Sequence, residues 1–303
     1  MNIGNFLFHL CICFSLILMV RYIVFHYINP YLEDPLDKKS KFKEGFTQEK
    51  EFVLKKGLDV YDTFYAEVYD DIFLPLPRIK TILKIVEEMA PKVQSSNMLD
   101  IGSGTGMLVN EIKRNRYHVY GVDSSKDMIE YSRKKYPEIA IQYGNVMNTI
   151  LFDSSSFTHL FCTDFTIYHF MDKTLFLKNC FFWLVPSGYL FIHLVDPETF
   201  DTVPSVGTLF LVDDAQKYSK DRILETSIEF PEFQYDTKYD VSQISNNNID
   251  FLETFTDKKT KKVRQNERTW YIEPIPDIIQ LATDIGFHKI DYFSKKDIYV
   301  FQR

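Results

Sequence analysis

Across residues 98–196, short apolar runs alternate with stretches whose apolar positions recur every three or four residues. Period-free apolar runs of this length predict buried strands, and the longer recurrences predict helices with one covered face. The predicted strands are MLDI at 98–101, YHVYGVD at 117–123, AIQYGN at 140–145, THLFCTD at 158–164 and the run leading to LFIHLVD at 190–196. Strands that alternate with helices favour a mostly parallel, doubly wound sheet covered on both faces. An amphipathic helix is predicted at 78–90, and DKTLFLKNCFFWL at 172–184 supplies another. Upstream, residues 51–73 space Tyr61, Tyr65 and Tyr69 four apart, which on one helix would align them.

The alternation then changes period. Residues 197–272 contain Pro197, Pro204 and Pro231 and three stretches with the two-residue repeat of strands, at 226–241, 249–257 and 261–272. A small antiparallel insert is expected there. The chain closes with a helix ending at Gly286 and two short strands, HKIDYFSKK and DIYVFQR.

The candidate chemistry starts where the first strand ends. After Asp100 come Gly102, Gly104 and Gly106, and apolar residues then resume at helical spacing. A glycine turn between strand and helix lets a ligand approach the backbone with no Cβ in the way. The dinucleotide fingerprint needs Gly or Ala at its sixth position, where this chain has Met107, so a nicotinamide cofactor is disfavoured. Asp123 ends the second strand, where an acidic side chain can accept hydrogen bonds from ribose hydroxyls. Ser124 or Ser125 is placed to cap the next helix, which carries Met128.

An acidic residue followed by GxGxG resembles motif I of the class I, Rossmann-like S-adenosylmethionine (SAM)-dependent methyltransferases. Further elements follow in that family's order: Asp123, the Gly144–Asn145 pair, and Leu-x-Pro-x-Gly (184–188) leading into an apolar strand. The resemblance covers residues 51–303. It implies a seven-stranded sheet with an antiparallel last strand, SAM as cofactor, and Asp100, Gly102, Ser103, Gly104, Asp123, Met128, Asn145, Val146 and Asp164 as cofactor contacts. The YDxFYAxxYD stretch resembles the family's N-terminal cap, which assigns Tyr61, Tyr65 and Tyr69 to the substrate side. The insert at 197–272 would shape the acceptor pocket. A general base is optional in such a transfer, and Tyr168 and His169, just past the fourth strand, are the candidates for one, with Asp164 beside them. His193, within the fifth strand, reads as a core residue.

Composition narrows the partners. The net charge is −7, and the one concentrated basic run after the N-terminal region is Lys258, Lys259, Lys261, Lys262 and Arg264, so nucleic acid is a poor substrate. Cys11, Cys13, Cys162 and Cys180 show neither a CxxC nor a spacing to His that would hold a metal. Residues 3–28 are long and apolar enough to span a bilayer, with Arg21 able to reach an interface. They lack the basic start and small-residue cleavage site of a signal peptide. The expected layout is a transmembrane anchor at 1–28, a linker at 29–50 and a catalytic domain at 51–303. Lys38, Lys39, Lys41 and Lys43 follow the anchor, which places the domain on the cytoplasmic side of a single-pass protein. The acceptor is then a small or lipid-like molecule at a membrane surface. A SAM-fold scaffold without turnover, a protein methyltransferase and an oxidoreductase stay open as alternatives, and the sequence carries no signal for an oligomeric state.

Overall fold

The computed structural model describes residues 48–73, 76–89, 95–204, 219–293 and 297–303, with Leu16, Met19, Val206 and Gln216. Leu16 and Met19 are helical and exposed. The rest of the apolar segment 3–28, and the linker up to residue 47, lie outside the described residues. Among the described residues no helix is long and apolar enough to cross a membrane.

Two sheets organise the chain. The larger contains β2 (Asn97–Ile101), β3 (His118–Asp123), β4 (Ile141–Tyr143), β5 (Phe157–Cys162), β6 (Leu184–His193), β11 (His288–Phe293) and β12 (Ile298–Gln302). Their spatial order is β11-β12-β6-β5-β2-β3-β4. Pairing is parallel from β4 to β6, whereas β12 runs antiparallel to both neighbours. The order reverses at β2, the first strand of this sheet, so the carboxyl ends of β2, β3 and β5 open onto one crevice. The inner strands are largely apolar: Leu99, Leu160, Phe161, Leu190, Phe191 and Ile192 have no exposed surface.

Helices α2 (Leu76–Met89), α3 (Met107–Arg114), α4 (Lys126–Lys135), α5 (Lys173–Trp183) and α6 (Ile275–Ile285) complete this half. Their ends follow local chemistry. Ser125 caps α4 by accepting the Met128 N–H at 3.1 Å, and Asp172 caps α5 by accepting the Leu175 N–H at 2.8 Å. Gly286 ends α6 at φ 118°, a left-handed geometry that a side chain would strain.

The second sheet corrects two expectations. Residues 51–73 do not form one helix: Phe52–Lys56 is a strand, β1, a 3-10 turn follows at Gly57–Val60, and α1 covers only Thr63–Phe73. β1 pairs in parallel with β10 (Val263–Tyr271), more than 200 residues further along the chain, and such a partner leaves no trace in local periodicity. The expected insert is therefore a five-stranded sheet of order β1-β10-β9-β8-β7, with β7 at Glu225–Glu229, β8 at Phe233–Asp240 and β9 at Asn248–Asp257. Only the four strands of the insert itself are mutually antiparallel.

Helix α1 joins the halves. Its Phe64 and Tyr65 rings meet Phe255 of β9 edge-on, at 5.1 and 6.3 Å. Its Asp70 accepts a hydrogen bond from Thr105 of the glycine turn at 2.7 Å and pairs with Lys135 of α4 at 2.6 Å.

Candidate functional site

The glycine turn follows β2 with three left-handed residues, Gly102 (φ 69°), Gly104 (φ 50°) and Gly106 (φ 79°). They serve different ends. A Cβ on Gly102 would lie 2.6 Å from Thr166, and one on Gly106 would lie 2.5 Å from Ile139, so both are required by packing as well as by dihedral. A Cβ on Gly104 would meet nothing nearer than a backbone oxygen at 3.9 Å, which leaves open space on that side of the turn. The turn closes onto the next strand. The N–H groups of Gly102 and Ser103 donate to Val122 O at 2.9 and 3.1 Å, and Gly104 N–H donates to Asp123 Oδ2 at 2.8 Å. The other Asp123 oxygen accepts the Ser125 N–H at 2.8 Å.

Burial raises the Asp123 carboxyl above the usual carboxylate range despite these backbone donors. Asp100, 3% exposed at the end of β2, is pushed up further by burial and then by the charge of Asp123. Two carboxylates in one desolvated crevice favour a cationic ligand.

The remaining cofactor candidates take varied positions. Met128 is buried on α4. Asn145 is exposed and its Oδ1 accepts the Met147 N–H at 2.9 Å, while the buried Val146 receives the Asn179 amide on its carbonyl at 2.9 Å. The Ser103 side chain turns under the loop: its buried hydroxyl has no hydrogen-bond partner among the described residues and lies 2.7 Å from where a Gly121 Cβ would sit. Asp164 forms an ion pair with Arg78 of α2. Asp164 and Phe165 both have positive φ, 52° and 65°, a strained turn for a bulky residue at the carboxyl end of β5. The 3-10 turn Thr166–His169 follows.

The two base candidates are adjacent in sequence and separate in space. Tyr168 has no exposed surface and its hydroxyl accepts the Val195 N–H at 2.8 Å, so it braces the segment after β6. His169 faces the segment just before α1, and its Nε2 lies 2.9 Å from the Tyr61 hydroxyl. Tyr61 also accepts from Arg268 Nη1 at 3.0 Å, so its hydroxyl is held between the guanidinium and the imidazole. Burial, and then the charge of Arg268, push the His169 pKa down to about 3. Burial raises that of Tyr61.

The chain of donors continues into the insert, through Arg268 and Glu253, and through Arg264, which ends the basic run yet is buried. Arg268 of β10 pairs with Glu253 of β9 and donates to the Tyr65 hydroxyl at 2.9 Å. Glu253, with no exposed surface, accepts from Tyr65 at 2.8 Å and Tyr235 at 2.6 Å. Arg264 pairs with Asp62 at 2.9 Å and donates to Val60 O at 3.1 Å. Tyr61, Tyr65 and Tyr69 touch in series with centroids 5.5 and 5.7 Å apart, although Tyr61 precedes α1 rather than lying on it. The overlooked signal is the alternation Arg264, Asn266, Arg268, Trp270, which places charged side chains on the buried face of a strand.

The sheet order, the glycine turn and the acidic second-strand end together define a class I methyltransferase fold. Residues 99–192 match the methyltransferase domain family, so the chain carries a methyltransferase domain, and the cofactor of this class is SAM. A ubiquinone biosynthesis O-methyltransferase from Proteus mirabilis is 24% identical over 129 residues, covering 41% of this chain and 52% of that protein. The chain spans about half the length of the curated relatives it matches. Among solved structures, a SAM-dependent methyltransferase from Clostridium acetobutylicum superposes with a TM-score of 0.59 at 13% identity, over 79% of this chain and 97% of its own. SAM-bound CalS10, an amino pentose methyltransferase from Micromonospora echinaspora, gives 0.55 at 14% identity, over 75% and 90%. At these identities the likeness is one of fold.

The residues present fit SAM. Asp123 takes backbone N–H donors from Gly104 and Ser125 on its two oxygens, with Ser124 also acting on it, and its carboxylate retains acceptor capacity for a ribose hydroxyl. The open side of Gly104 gives room for the ligand, and the buried Asp100 with the half-buried Asp123 favours a molecule bearing sulfonium and ammonium charges.

Proposed function

We propose that this chain is a SAM-dependent methyltransferase acting on a small-molecule acceptor held between the strand ends and the inner face of the five-stranded sheet. The observation that carries this reading is the closure of the glycine turn on Asp123 through the Gly104 N–H at 2.8 Å, which fixes a hydroxyl-accepting carboxylate beside an open backbone.

SAM, when bound, supplies an electrophilic methyl group with a good leaving group already attached. What remains for the protein is to orient the nucleophile and exclude water. Asp123 and the turn would hold the cofactor. Tyr61, fixed between His169 and Arg268, presents a hydroxyl of set direction at the base of the cap. With its pKa held near 3, His169 is neutral and a poor store for a proton at pH 7, so it acts by orienting Tyr61. The acceptor should therefore be a group that is nucleophilic without a strong base, such as an amine or an acidic phenol.

The apolar segment 3–28 supports a membrane-attached enzyme whose acceptor is lipid-like and whose domain faces the cytoplasm. Recovery of the full chain in a carbonate-washed membrane fraction tests that placement.

Calorimetry with SAM on the full chain tests the main reading. We expect saturable binding, weakened about 100-fold in Asp123→Ala, with transfer of labelled methyl into small-molecule or lipid fractions. A folded protein that does not bind SAM overturns the proposal. One that binds SAM and methylates nothing is a scaffold.

A further inference from the structure

Among the described residues, four buried nitrogens lie along one aromatic wall of the insert without hydrogen-bond partners: Arg222 Nε and Nη2, Trp270 Nε1 and Arg268 Nε. Native interiors leave few such groups unpaired, and each costs free energy. All four are donors, so what they lack is an acceptor. The rings form a continuous path. Phe165, at the carboxyl end of β5, stacks on Trp270 at 4.9 Å with an 11° tilt and lies 6.0 Å from Phe200. The Arg222 guanidinium sits over Phe200 at 4.9 Å. Tyr239 lies between, 5.9 Å from Phe200 and 5.8 Å from Trp270.

Arg222 is distinguished by which of its atoms are unpaired. Nε and Nη2 are the two nitrogens on one edge of the guanidinium, the edge whose parallel N–H bonds match the two oxygens of a carboxylate or phosphate. Asp196 and Glu198 are close enough to act on Arg222 through their charge, yet neither pairs with it, and Asp196 Oδ1 accepts the backbone N–H groups of Glu198 and Thr199 at 2.8 and 3.2 Å. Arg264 and Arg268, by contrast, both have carboxylate partners.

We propose that this wall is the acceptor pocket and that the acceptor pairs an apolar, planar body with an oxyanion, carboxylate or phosphate, seated on the Nε/Nη2 edge of Arg222. The body would lie along Phe200, Tyr239 and Trp270 and reach Phe165 at the crevice. The Arg222 edge is closed to solvent, so the ligand must part the side chains around it to bind. Naming the ligand a methyl acceptor rests on the methyltransferase reading, whereas the oxyanion site itself does not.

The test is titration of the full chain with benzoate, phenyl phosphate and the neutral analogue benzamide, first without SAM and then with it. Benzoate or phenyl phosphate should bind at least about tenfold tighter than benzamide, and the better of the two names the anion. Arg222→Met should lose about tenfold or more of that affinity while binding SAM as the wild type does. Arg222→Lys, which keeps the charge without the two-pronged edge, should fall between. Equal affinity for benzamide and both anions, or anion binding unchanged in Arg222→Met, overturns the proposal, as does the absence of saturable anion binding. Anion binding by a folded chain that ignores SAM would keep the Arg222 site and remove the methyltransferase reading. SAM binding without anion binding would do the reverse.

Discussion

The seven-stranded sheet and the five-stranded sheet bury their inner faces in opposite ways. In the first, β2, β5 and β6 are packed with Leu99, Leu160, Phe161, Leu190 and Phe191, and the polar chemistry of Asp100, Asp123 and Asp164 gathers at or just past the strand ends. In the second, Arg264, Asn266, Arg268 and Glu253 stand on the faces of β9 and β10 themselves, each at most 5% exposed. Fold and site are separable in the first sheet, since a residue at a strand end can change without emptying the core. They are inseparable in the second, where the residues that hold Tyr61 and Tyr65 are also the core. A buried ion pair is a poor source of stability compared with well-packed apolar residues. Its retention beside the cap tyrosines therefore points to positioning.

The largest effect should come from splitting that pair. Glu253→Leu leaves Arg268 charged and buried without its carboxylate and should destabilise the chain by about 3–5 kcal/mol in urea denaturation. The double variant Glu253→Leu with Arg268→Leu should recover most of that loss, because both ions are then gone. It should also release Tyr61, so SAM binding is kept while turnover falls. If the double variant turns over like the wild type, the inner face of the second sheet is merely structural and the contrast collapses.

Acid probes the first sheet. His159 of β5 lies 4% exposed against Tyr189 and Phe191, and burial pushes its pKa down to about 4. The unfolded chain takes up this proton below about pH 6.5 and the folded chain does not, so stability falls as the pH drops from there to about 4. The loss attributable to His159 approaches about 3 kcal/mol by the low end. His169 and His193, also lowered, pull in the same direction, whereas Asp100 and Asp123, raised by burial, regain stability as they are protonated. His159→Phe should flatten the acid side of a urea-midpoint profile against pH. An unchanged slope would assign the effect to the other two histidines.

The same contrast explains how far the sequence could be read. The seven-stranded half announces itself because β2, β5 and β6 are local apolar runs, the turn after β2 has its glycines, and Gly286 and Ser125 mark helix ends by type alone. The five-stranded half depends on partners remote in the chain. Phe52–Lys56 becomes a strand only because β10 offers it an edge, and the tyrosine spacing that suggested one helix holds only from Tyr65 onward. Glu253 and Arg268 look like solvated charges in a polar alternating stretch until the sheet turns their face inward against α1. Tyr168 and His169 show the same limit at one residue's distance, since periodicity does not tell which of two neighbours faces the core.

The smallest effect tests whether residues of the glycine turn serve the ligand or the fold. Ser103 sits in the motif, yet its hydroxyl points beneath the turn toward Gly121 and is buried without a partner among the described residues. Its backbone N–H, which donates to Val122 O at 3.1 Å, survives any side-chain change. Replacing Ser103 with Ala removes an unsatisfied polar group and leaves the backbone bond, so stability should hold or rise by up to about 1 kcal/mol. SAM affinity measured by calorimetry should stay within about twofold, against the roughly 100-fold loss expected for Asp123→Ala. A large loss of SAM affinity in Ser103→Ala would mean that the hydroxyl swings over the turn when the cofactor arrives. The turn would then be remodelled by its ligand, and the separation of fold from site in the first sheet would no longer hold.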